Sequence, residues 1–253
     1  MGKQYKILAI GNSFSRDATT FLHDAAKSVG IDLVVVNLFV GGCSLEQHAA
    51  NLASNDTVYL VEVNGAITDK YASLKNAVEA ADWDFIVTQQ SSHDSGWLDT
   101  YEPFAGQLIN YVKSAAENAK LFLMQTWAYA HNSTHPAFKR YNCDPSEMYT
   151  RSRAAYRAIA DKYSLPLIPC GDVVEQLRKT DEFNLAKGGE SICRDGFHIH
   201  LTYGRYLLSA VWIKTLFGKD LTDSFIPQNP AAPPADPKKL RLIRETVSAV
   251  FKQ

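Results

Sequence analysis

Two short segments near opposite ends of the chain carry the residue types that nucleophilic catalysis requires. Ser13 lies in the segment GNSFS at positions 11–15, directly after the first apolar run, and Asp195 and His198 lie in DGFH at positions 195–198. A serine hydroxyl becomes an effective nucleophile when a histidine removes its proton and a carboxylate orients that histidine. Ser13, His198 and Asp195 are the candidates for these three roles. The pattern therefore predicts a covalent acyl-enzyme, which is the chemistry of ester hydrolysis.

Glycine-rich and polar segments follow two other apolar runs, where they are candidates to stabilise an oxyanion. GGCS at positions 41–44 ends the second predicted strand, and the N–H of Gly42 can approach a substrate oxygen closely because glycine has no side chain. TQQSSHD at positions 88–94 ends the third strand, and its polar side chains need hydrogen bonds or a pocket. Gln90 and His93 are the candidate donors there. An ordinary turn or a solvated loop is the alternative for each segment.

Aromatic and amide side chains near the same sheet edge are candidates for substrate contact. Trp97, Trp127 and Tyr129 follow the third and fourth predicted strands, where aromatic rings can stack on a sugar. Asn12, next to Ser13, is a further substrate-binding candidate. Aromatic residues also build protein cores, so a core role for the three rings is the alternative.

The pair His198 and His200 raises the alternative of a metal site on a strand. No carboxylate or cysteine pair with metal-ligand spacing lies nearby, so we expect no metal and no other cofactor, and a bystander role for His200. A metal-dependent phosphoesterase that loses activity with a chelator is the alternative. The four cysteines include no C-x-x-C pair, which favours free thiols.

The overall composition excludes several other functions. The 253 residues include 26 Lys and Arg against 27 Asp and Glu, a net charge of −1, which provides no basic surface for nucleic acid. No apolar run is long enough for a transmembrane segment. Met1 leads almost directly into the first apolar run, as in a cytoplasmic protein, or in a secreted or periplasmic one whose signal peptide has been replaced. The expected partner is a small-molecule or carbohydrate ester, and the sequence carries no indication of oligomeric state.

Apolar β-branched runs alternate with helical patterns along most of the chain, which predicts a parallel sheet covered by helices on both faces. Asp17 and Ser44 are the predicted N-caps of the first two helices, and Gly218 is predicted to end the last core helix. The predicted strands are 5–10, 33–40, 84–88, 120–125 and 165–169.

Two segments depart from this alternation. Residues 58–68 alternate apolar and polar side chains around Asn64 and Gly65, which predicts an added β-hairpin at about positions 57–70. Residues 227–237 contain five prolines and predict an extended connection to a short C-terminal helix. We expect one domain, 1–253, with 225–253 as a C-terminal extension.

Together these segments resemble the SGNH hydrolase family, also called GDSL-like lipases and acylhydrolases. In that family a G-D-S-x-S block supplies the nucleophile and a D-x-x-H block supplies the other two triad residues, and positions 11–15 and 195–198 match them here. The resemblance covers nearly the whole chain. It implies a flavodoxin-like three-layer α/β/α sandwich with a five-stranded parallel sheet, and an oxyanion hole lined by the N–H of a glycine, for which Gly41 or Gly42 fits. We expect the N–H groups of Ser13 and Gly42 to hold the oxyanion.

The chain departs from the family pattern at two places. Asn12 stands where the family usually has aspartate, a change that leaves the nucleophile intact. The family's G-x-N-D block is replaced, so its oxyanion-donating asparagine aligns with His93, and Gln90 is the alternative donor. The stretch QQSSH at positions 89–93 is similar to a divergent bacterial branch known chiefly as domains of unknown function.

These observations predict a serine esterase that hydrolyses small-acyl carboxylic esters. An O-acetylated carbohydrate is favoured over a lipid because the chain has no long apolar lid, and this preference leans on the family resemblance. The alternatives are a thioesterase or lipase-type acylhydrolase with the same triad, and a non-catalytic carbohydrate-binding protein on a hydrolase scaffold. Only the enzymes should be labelled at Ser13 by a fluorophosphonate.

Overall fold

The computed structural model describes residues 2–230 and 232–252. A seven-stranded sheet runs through its centre, with five strands parallel to one another and an antiparallel hairpin at one edge. The strands are β1 (Gln4–Gly11), β2 (Asp32–Phe39), β3 (Tyr59–Val63), β4 (Ala66–Ala72), β5 (Phe85–Thr88), β6 (Lys120–Met124) and β7 (Leu167–Ile168). Their order across the sheet is β4-β3-β2-β1-β5-β6-β7. The five predicted parallel strands are confirmed, and the hairpin extends the same sheet to seven.

The added hairpin is also confirmed. Its tip is Asn64 and Gly65, which have φ values of 52° and 80°, the left-handed conformation that a two-residue hairpin turn requires. The Asn64 side chain accepts a hydrogen bond from the N–H of Val35 at 2.9 Å, which attaches the tip to β2.

Helices cover both faces of the sheet, as the alternation of patterns predicts. The longest of them is α6. In chain order the helices are α1 (Ser13–Thr19), α2 (Leu22–Ser28), α3 (Leu45–Ser54), α4 (Leu74–Glu79), α5 (Phe104–Ala115), α6 (Pro145–Tyr163), α7 (Cys170–Leu177), α8 (Tyr203–Phe217) and α9 (Pro237–Val250).

The central strand β1 divides the core into two apolar clusters. Its side chains alternate, so Ile7 and Ala9 join the cluster under α1, α2, α7, α8 and α9, whereas Leu8 and Ile10 join the cluster under α3, α4, α5 and α6. All four side chains are buried. Burial on both faces explains why β1 is a continuous apolar run, and it gives the three-layer α/β/α sandwich that the resemblance implies.

Helix boundaries show where local signals succeed and where they fail. Ser44 caps α3 by accepting from the N–H of Gln47, and Gly218 ends α8 in the left-handed conformation, both as predicted. Asp17 is not an N-cap: α1 begins at Ser13 under the Asn12 cap, and Asp17 lies buried within that helix. Helix α7 was absent from the predicted elements.

The C-terminal helix α9 packs against α7 and α8, as its apolar stripe suggests. The predicted extended connection 227–237 has no regular structure over its described residues before α9 begins, and position 231 lies outside the described residues. All four cysteines have free thiols. Among the helices of the described residues, none has the length and apolar character needed to cross a membrane.

Candidate active site

Ser13 lies at the sheet edge formed by the carboxyl ends of the parallel strands. Strand β1 ends at Gly11, Asn12 is the N-cap, and Ser13 is the first residue of α1. The Asn12 side chain accepts from the N–H of Phe14 at 3.0 Å and donates to the carbonyl of Cys43 at 2.9 Å. This edge is where open parallel sheets place their ligands, because adjacent loops diverge there.

The structure brings Ser13, His198 and Asp195 together as a hydrogen-bonded chain. Ser13 Oγ lies 2.9 Å from His198 Nε2, and His198 Nδ1 lies 2.7 Å from Asp195 Oδ2. One ring nitrogen, Nε2, is therefore placed to accept a hydrogen bond from the serine hydroxyl. The other, Nδ1, is placed to donate a hydrogen bond to the carboxylate. This is the geometry in which a histidine acts as a general base toward a serine.

The Asp195 carboxylate is held in its ionised form by a tight turn. Its Oδ1 accepts hydrogen bonds from the N–H groups of Phe197 at 3.1 Å and His198 at 2.7 Å, which leaves Oδ2 for the imidazole. Partial burial opposes ionisation, but the His198 ring and these two backbone N–H groups outweigh it and lower the pKa of Asp195 below its ordinary value. Asp195 thus remains an acceptor that orients His198.

Aromatic rings fix the orientation of the His198 imidazole. The Phe197 ring centroid lies 4.1 Å from that of His198, and the Phe14 ring lies 5.9 Å from it. Trp127 stacks on Phe14 at 4.2 Å, and its Nε1 donates to the carbonyl of Phe197 at 2.8 Å. Trp127 is 0% exposed, so it packs beneath these rings and cannot stack on a sugar. This corrects its prediction as a substrate contact.

A cavity of about 330 Å³ opens beside Ser13. Its wall comes from the loops that follow β1, β2, β5 and β6 and from the segment that carries His198. The lining residues are Asn12, Ser13, Phe14, Gly41, Gly42, Ser91, Ser92, His93, His135, Phe197 and His198.

Two backbone N–H groups are suitable for an oxyanion in this cavity. Ser13 is the first residue of α1, so its N–H has no acceptor within the helix. Gly42 has φ +65°, and within the described residues no hydrogen bond uses its N–H. The Gly42 conformation belongs to the left-handed region that favours glycine.

Gln90 does not reach the cavity, which corrects its assignment as an oxyanion donor. Its Oε1 accepts from the N–H groups of Leu45 at 2.9 Å and Ser91 at 2.8 Å, and its Nε2 donates to the carbonyl of Thr100 at 3.0 Å. Both ends of the amide are thus used: Oε1 attaches the end of β5 to the start of α3, and Nε2 attaches it to Thr100. The Gln90 side chain is satisfied by internal hydrogen bonds rather than by substrate.

His93 does line the cavity, so it stays a candidate donor. Its Nε2 lies 3.3 Å from Asp94 Oδ2 and 3.5 Å from Ser91 Oγ. Arg140 donates to Asp94 Oδ1 at 2.6 Å, which holds this carboxylate beside the ring.

The remaining predicted substrate contacts are also corrected by the structure. Tyr129 is fully buried, and its hydroxyl pairs with Ser92 Oγ at 2.9 Å. Trp97 lies outside the cavity wall, with the guanidinium groups of Arg140 and Arg151 each 4.8 Å from its ring. Asn12 lines the cavity, but it is 2% exposed, and both its amide oxygen and its amide nitrogen form hydrogen bonds within the protein. Its side chain therefore holds the neighbouring loops together and does not bind substrate as predicted.

His200 lies away from the triad hydrogen bonds. Its Nδ1 accepts from the N–H groups of Thr202 at 3.1 Å and Tyr203 at 3.2 Å, and its Nε2 lies 3.3 Å from Glu190 Oε1. Among the described residues, no group of three or more His, Cys, Asp or Glu side chains is arranged to hold a metal ion.

Several residues of the cavity wall were not predicted from the sequence, and His135 and Phe197 are two of them. His135 follows β6 at some distance, and Phe197 lies inside the DGFH segment, where it was treated as a spacer. Phe197 is recoverable in principle, because it adjoins His198. His135 belongs to no motif, and only the path of its loop places it beside Ser13.

Comparisons with known proteins agree with this architecture. A family model described as a domain of unknown function, DUF4886, matches residues 6–237. The crystal structure of a DUF4886 family protein from Bacteroides uniformis has a TM-score of 0.88 and 32% identity, covering 99% of this chain and 95% of that one. A search of curated proteins found no match.

More distant solved structures share the fold. A candidate SGNH hydrolase from Slackia heliotrinireducens has a TM-score of 0.57 at 19% identity and covers 85% of this chain and 100% of that one. An acetylxylan esterase from Geobacillus stearothermophilus, solved as a catalytic mutant, has a TM-score of 0.57 at 13% identity, covering 86% and 96%. The predicted resemblance is thereby confirmed at the level of fold. The chain belongs to the DUF4886 family, a divergent branch with the fold of the SGNH hydrolases.

Proposed function

We propose that this protein is a serine esterase that hydrolyses small-acyl carboxylic esters. The observation that carries the proposal is the unbroken hydrogen-bonded chain from Ser13 Oγ through His198 to Asp195, with distances of 2.9 and 2.7 Å. A histidine poised between a serine hydroxyl and a carboxylate has little structural purpose in a partly exposed cavity. Its chemical purpose is to activate the serine.

In the first half of the reaction the enzyme is acylated. Ser13 Oγ bonds to the ester carbonyl carbon while its proton passes to His198 Nε2. The carbon–oxygen bond to the alcohol then breaks, and the same proton passes from His198 to the leaving oxygen. Asp195 stays ionised throughout and stabilises the imidazolium.

In the second half the acyl group is released. Water attacks the acyl carbon as His198 takes one of its protons, and the carboxylic acid leaves while Ser13 Oγ regains a proton. The N–H groups of Ser13 and Gly42 hold the oxyanion in both halves, with His93 as the third donor. Loss of one such donor usually lowers the rate about 10²-fold to 10³-fold.

The substrate we propose is an O-acetyl group on a carbohydrate. The cavity of about 330 Å³ suits a small acyl group and one sugar unit better than a long chain. Phe197 is half-buried in the wall and offers a ring that a sugar can contact. The likeness in fold to an acetylxylan esterase supports the same class.

The test is hydrolysis of p-nitrophenyl acetate by the wild type, Ser13→Ala and His198→Ala, with and without a chelator. We expect chelator-resistant activity that both substitutions reduce by at least about 10³-fold. A fluorophosphonate should add its mass to the wild type and not to Ser13→Ala. An unreactive wild type would favour the non-catalytic binding protein, and activity that survives both substitutions would refute the proposed triad.

A further inference from the structure

His135 lies on the cavity wall in a position that determines which ring nitrogen carries its proton. It is the N-cap of a short 3₁₀ turn, Pro136–Tyr141, and its Nδ1 accepts a hydrogen bond from the N–H of Ala137 at 3.2 Å. A backbone N–H is always a donor, so Nδ1 must be the unprotonated nitrogen. The neutral ring therefore carries its proton on Nε2.

The remaining nitrogen of His135 is available to a ligand. His135 is half-buried, and within the described residues no hydrogen bond uses Nε2, nor is this atom buried without a partner. The ring is wedged among Phe197 at 5.0 Å, Tyr129 at 5.0 Å and His93 at 6.1 Å between centroids. It is thus a rigid donor whose direction is set by packing.

The electrostatic surroundings keep this ring neutral. Burial lowers the pKa of His135 below its ordinary value, the neighbouring His93 and His198 lower it further, and Asp195 opposes them. Protonation would also place an N–H on Nδ1 against the N–H of Ala137. At neutral pH the His135 ring is therefore uncharged and presents Nε2–H as a hydrogen-bond donor.

His135 lies near the triad histidine, across the ring of Phe197. Phe197 contacts both His135 and His198, with centroids 5.0 and 4.1 Å away. Because His198 returns the proton to the leaving oxygen in the proposed mechanism, the alcohol half of the ester is expected to lie next to these rings.

We infer that His135 determines leaving-group specificity by donating a hydrogen bond from Nε2 to an oxygen of the alcohol half of the substrate. The preferred esters are those whose alcohol bears a second oxygen close to the ester, as in a polyol or a sugar. This inference rests on the proposed esterase function and adds a named specificity residue to it. A simple alkyl alcohol offers no acceptor and gains nothing from His135.

The test compares two acetates of nearly equal size, 2-hydroxyethyl acetate and propyl acetate, which differ by a terminal hydroxyl in place of a methyl group. His135→Asn is the informative variant, because asparagine retains the N-cap acceptor for Ala137 but cannot reach as far into the cavity. We expect it to lower kcat/KM for 2-hydroxyethyl acetate by about fivefold to tenfold, equivalent to one hydrogen bond, and to change that for propyl acetate less than twofold.

His131→Asn is the matched control, since His131 is exposed in the same loop and is absent from the cavity wall. This substitution should leave kcat/KM unchanged for both acetates. An unchanged preference between the two acetates in His135→Asn, or an equal loss on both, would overturn the specificity role. A wild type that hydrolyses neither acetate and is not labelled by a fluorophosphonate would instead overturn the proposed function itself.

Discussion

Asp17 on α1 and Arg194, the residue before Asp195, form an ion pair of 2.9 Å that connects the two parts of the triad. Asp17 is 0% exposed, and its second oxygen binds Arg205 of α8 at 2.8 Å. Arg194 also donates to the carbonyl of Ile199, next to His198. The helix that begins with Ser13 is therefore held to the segment that carries Asp195 and His198 by a buried carboxylate shared between two arginines.

Removal of the Asp17 charge should destabilise the protein. Asp17→Asn leaves two arginines without their carboxylate, and breaking a buried pair in this way costs about 3 kcal/mol. The free energy of unfolding from urea denaturation should fall by that amount. Asp24→Asn, an exposed substitution on α2, is the control and should change it by less than about 0.5 kcal/mol. Equal effects of the two substitutions would argue against the bridging role.

Asp195→Asn should lower kcat with little effect on the fold. The amide retains an oxygen for the N–H groups of Phe197 and His198 but no longer stabilises the charged imidazole or selects its tautomer. We expect a loss of about 10³-fold to 10⁴-fold in kcat on p-nitrophenyl acetate. The melting temperature provides the control and should shift by only a few degrees. Retention of more than a tenth of wild-type kcat would show that Asp195 is dispensable.

Gly42→Ala should impair activity far more than Gly30→Ala. Both glycines have positive φ, +65° and +72°, and at neither would an added Cβ meet an atom within 4 Å. Both substitutions should therefore cost about 1–2 kcal/mol through backbone strain alone. Only Gly42 lines the cavity, and strain at this position would displace its N–H from the proposed oxyanion site, so only its substitution should lower kcat, by about tenfold to a hundredfold. Parallel unfolding and kinetic measurements on the two variants separate strain from catalysis, and equal kcat values would remove Gly42 from the oxyanion hole.

His48 should make stability fall as the pH falls below 6.5. Burial lowers its pKa from 6.5 to about 3, while Nδ1 lies 2.8 Å from the Tyr59 hydroxyl and Nε2 has no partner within the described residues. Above pH 6.5 the ring is neutral in both states. Between pH 6.5 and about 3 the unfolded chain binds a proton that the folded protein does not, so stability falls by up to about 1.4 kcal/mol per pH unit.

Urea denaturation at pH 7, 5.5 and 4.5 measures this dependence. His48→Gln should have a shallower decline than the wild type, with a difference of about 2 kcal/mol accumulated between pH 6.5 and 4.5. His131→Gln, at an exposed histidine, should follow the wild-type curve. Identical pH dependence in all three proteins would mean that His48 is not the group responsible.

Local patterns in the sequence were sufficient to predict the fold and to identify the three candidate triad residues. Strand β1 is apolar at successive positions because both of its faces are buried, and the Asn64-Gly65 turn needs two residues that tolerate positive φ. Ser13 follows a strand end directly, and Asp195 reaches His198 within one turn. Each of these features has a short-range signal that the sequence displays, whereas the contact between Ser13 and His198 joins residues 185 positions apart.

Long-range packing decided the rest of the site. Gln90 and Trp127 have the chemistry expected of a donor and a sugar platform, yet both are used internally, because the loops turn them toward Leu45 and Phe14. Asp17 looks like a cap from its neighbours, but its partners are two arginines far along the chain. His135 carries no local signal at all.

The sequence by itself thus determined the sheet and the candidate triad residues, since these are marked by residue type and by short spacings. Only the tertiary structure decided which polar and aromatic side chains face the cavity. The physical reason is that a side chain's direction at a loop end depends on backbone angles that are set by packing against distant elements.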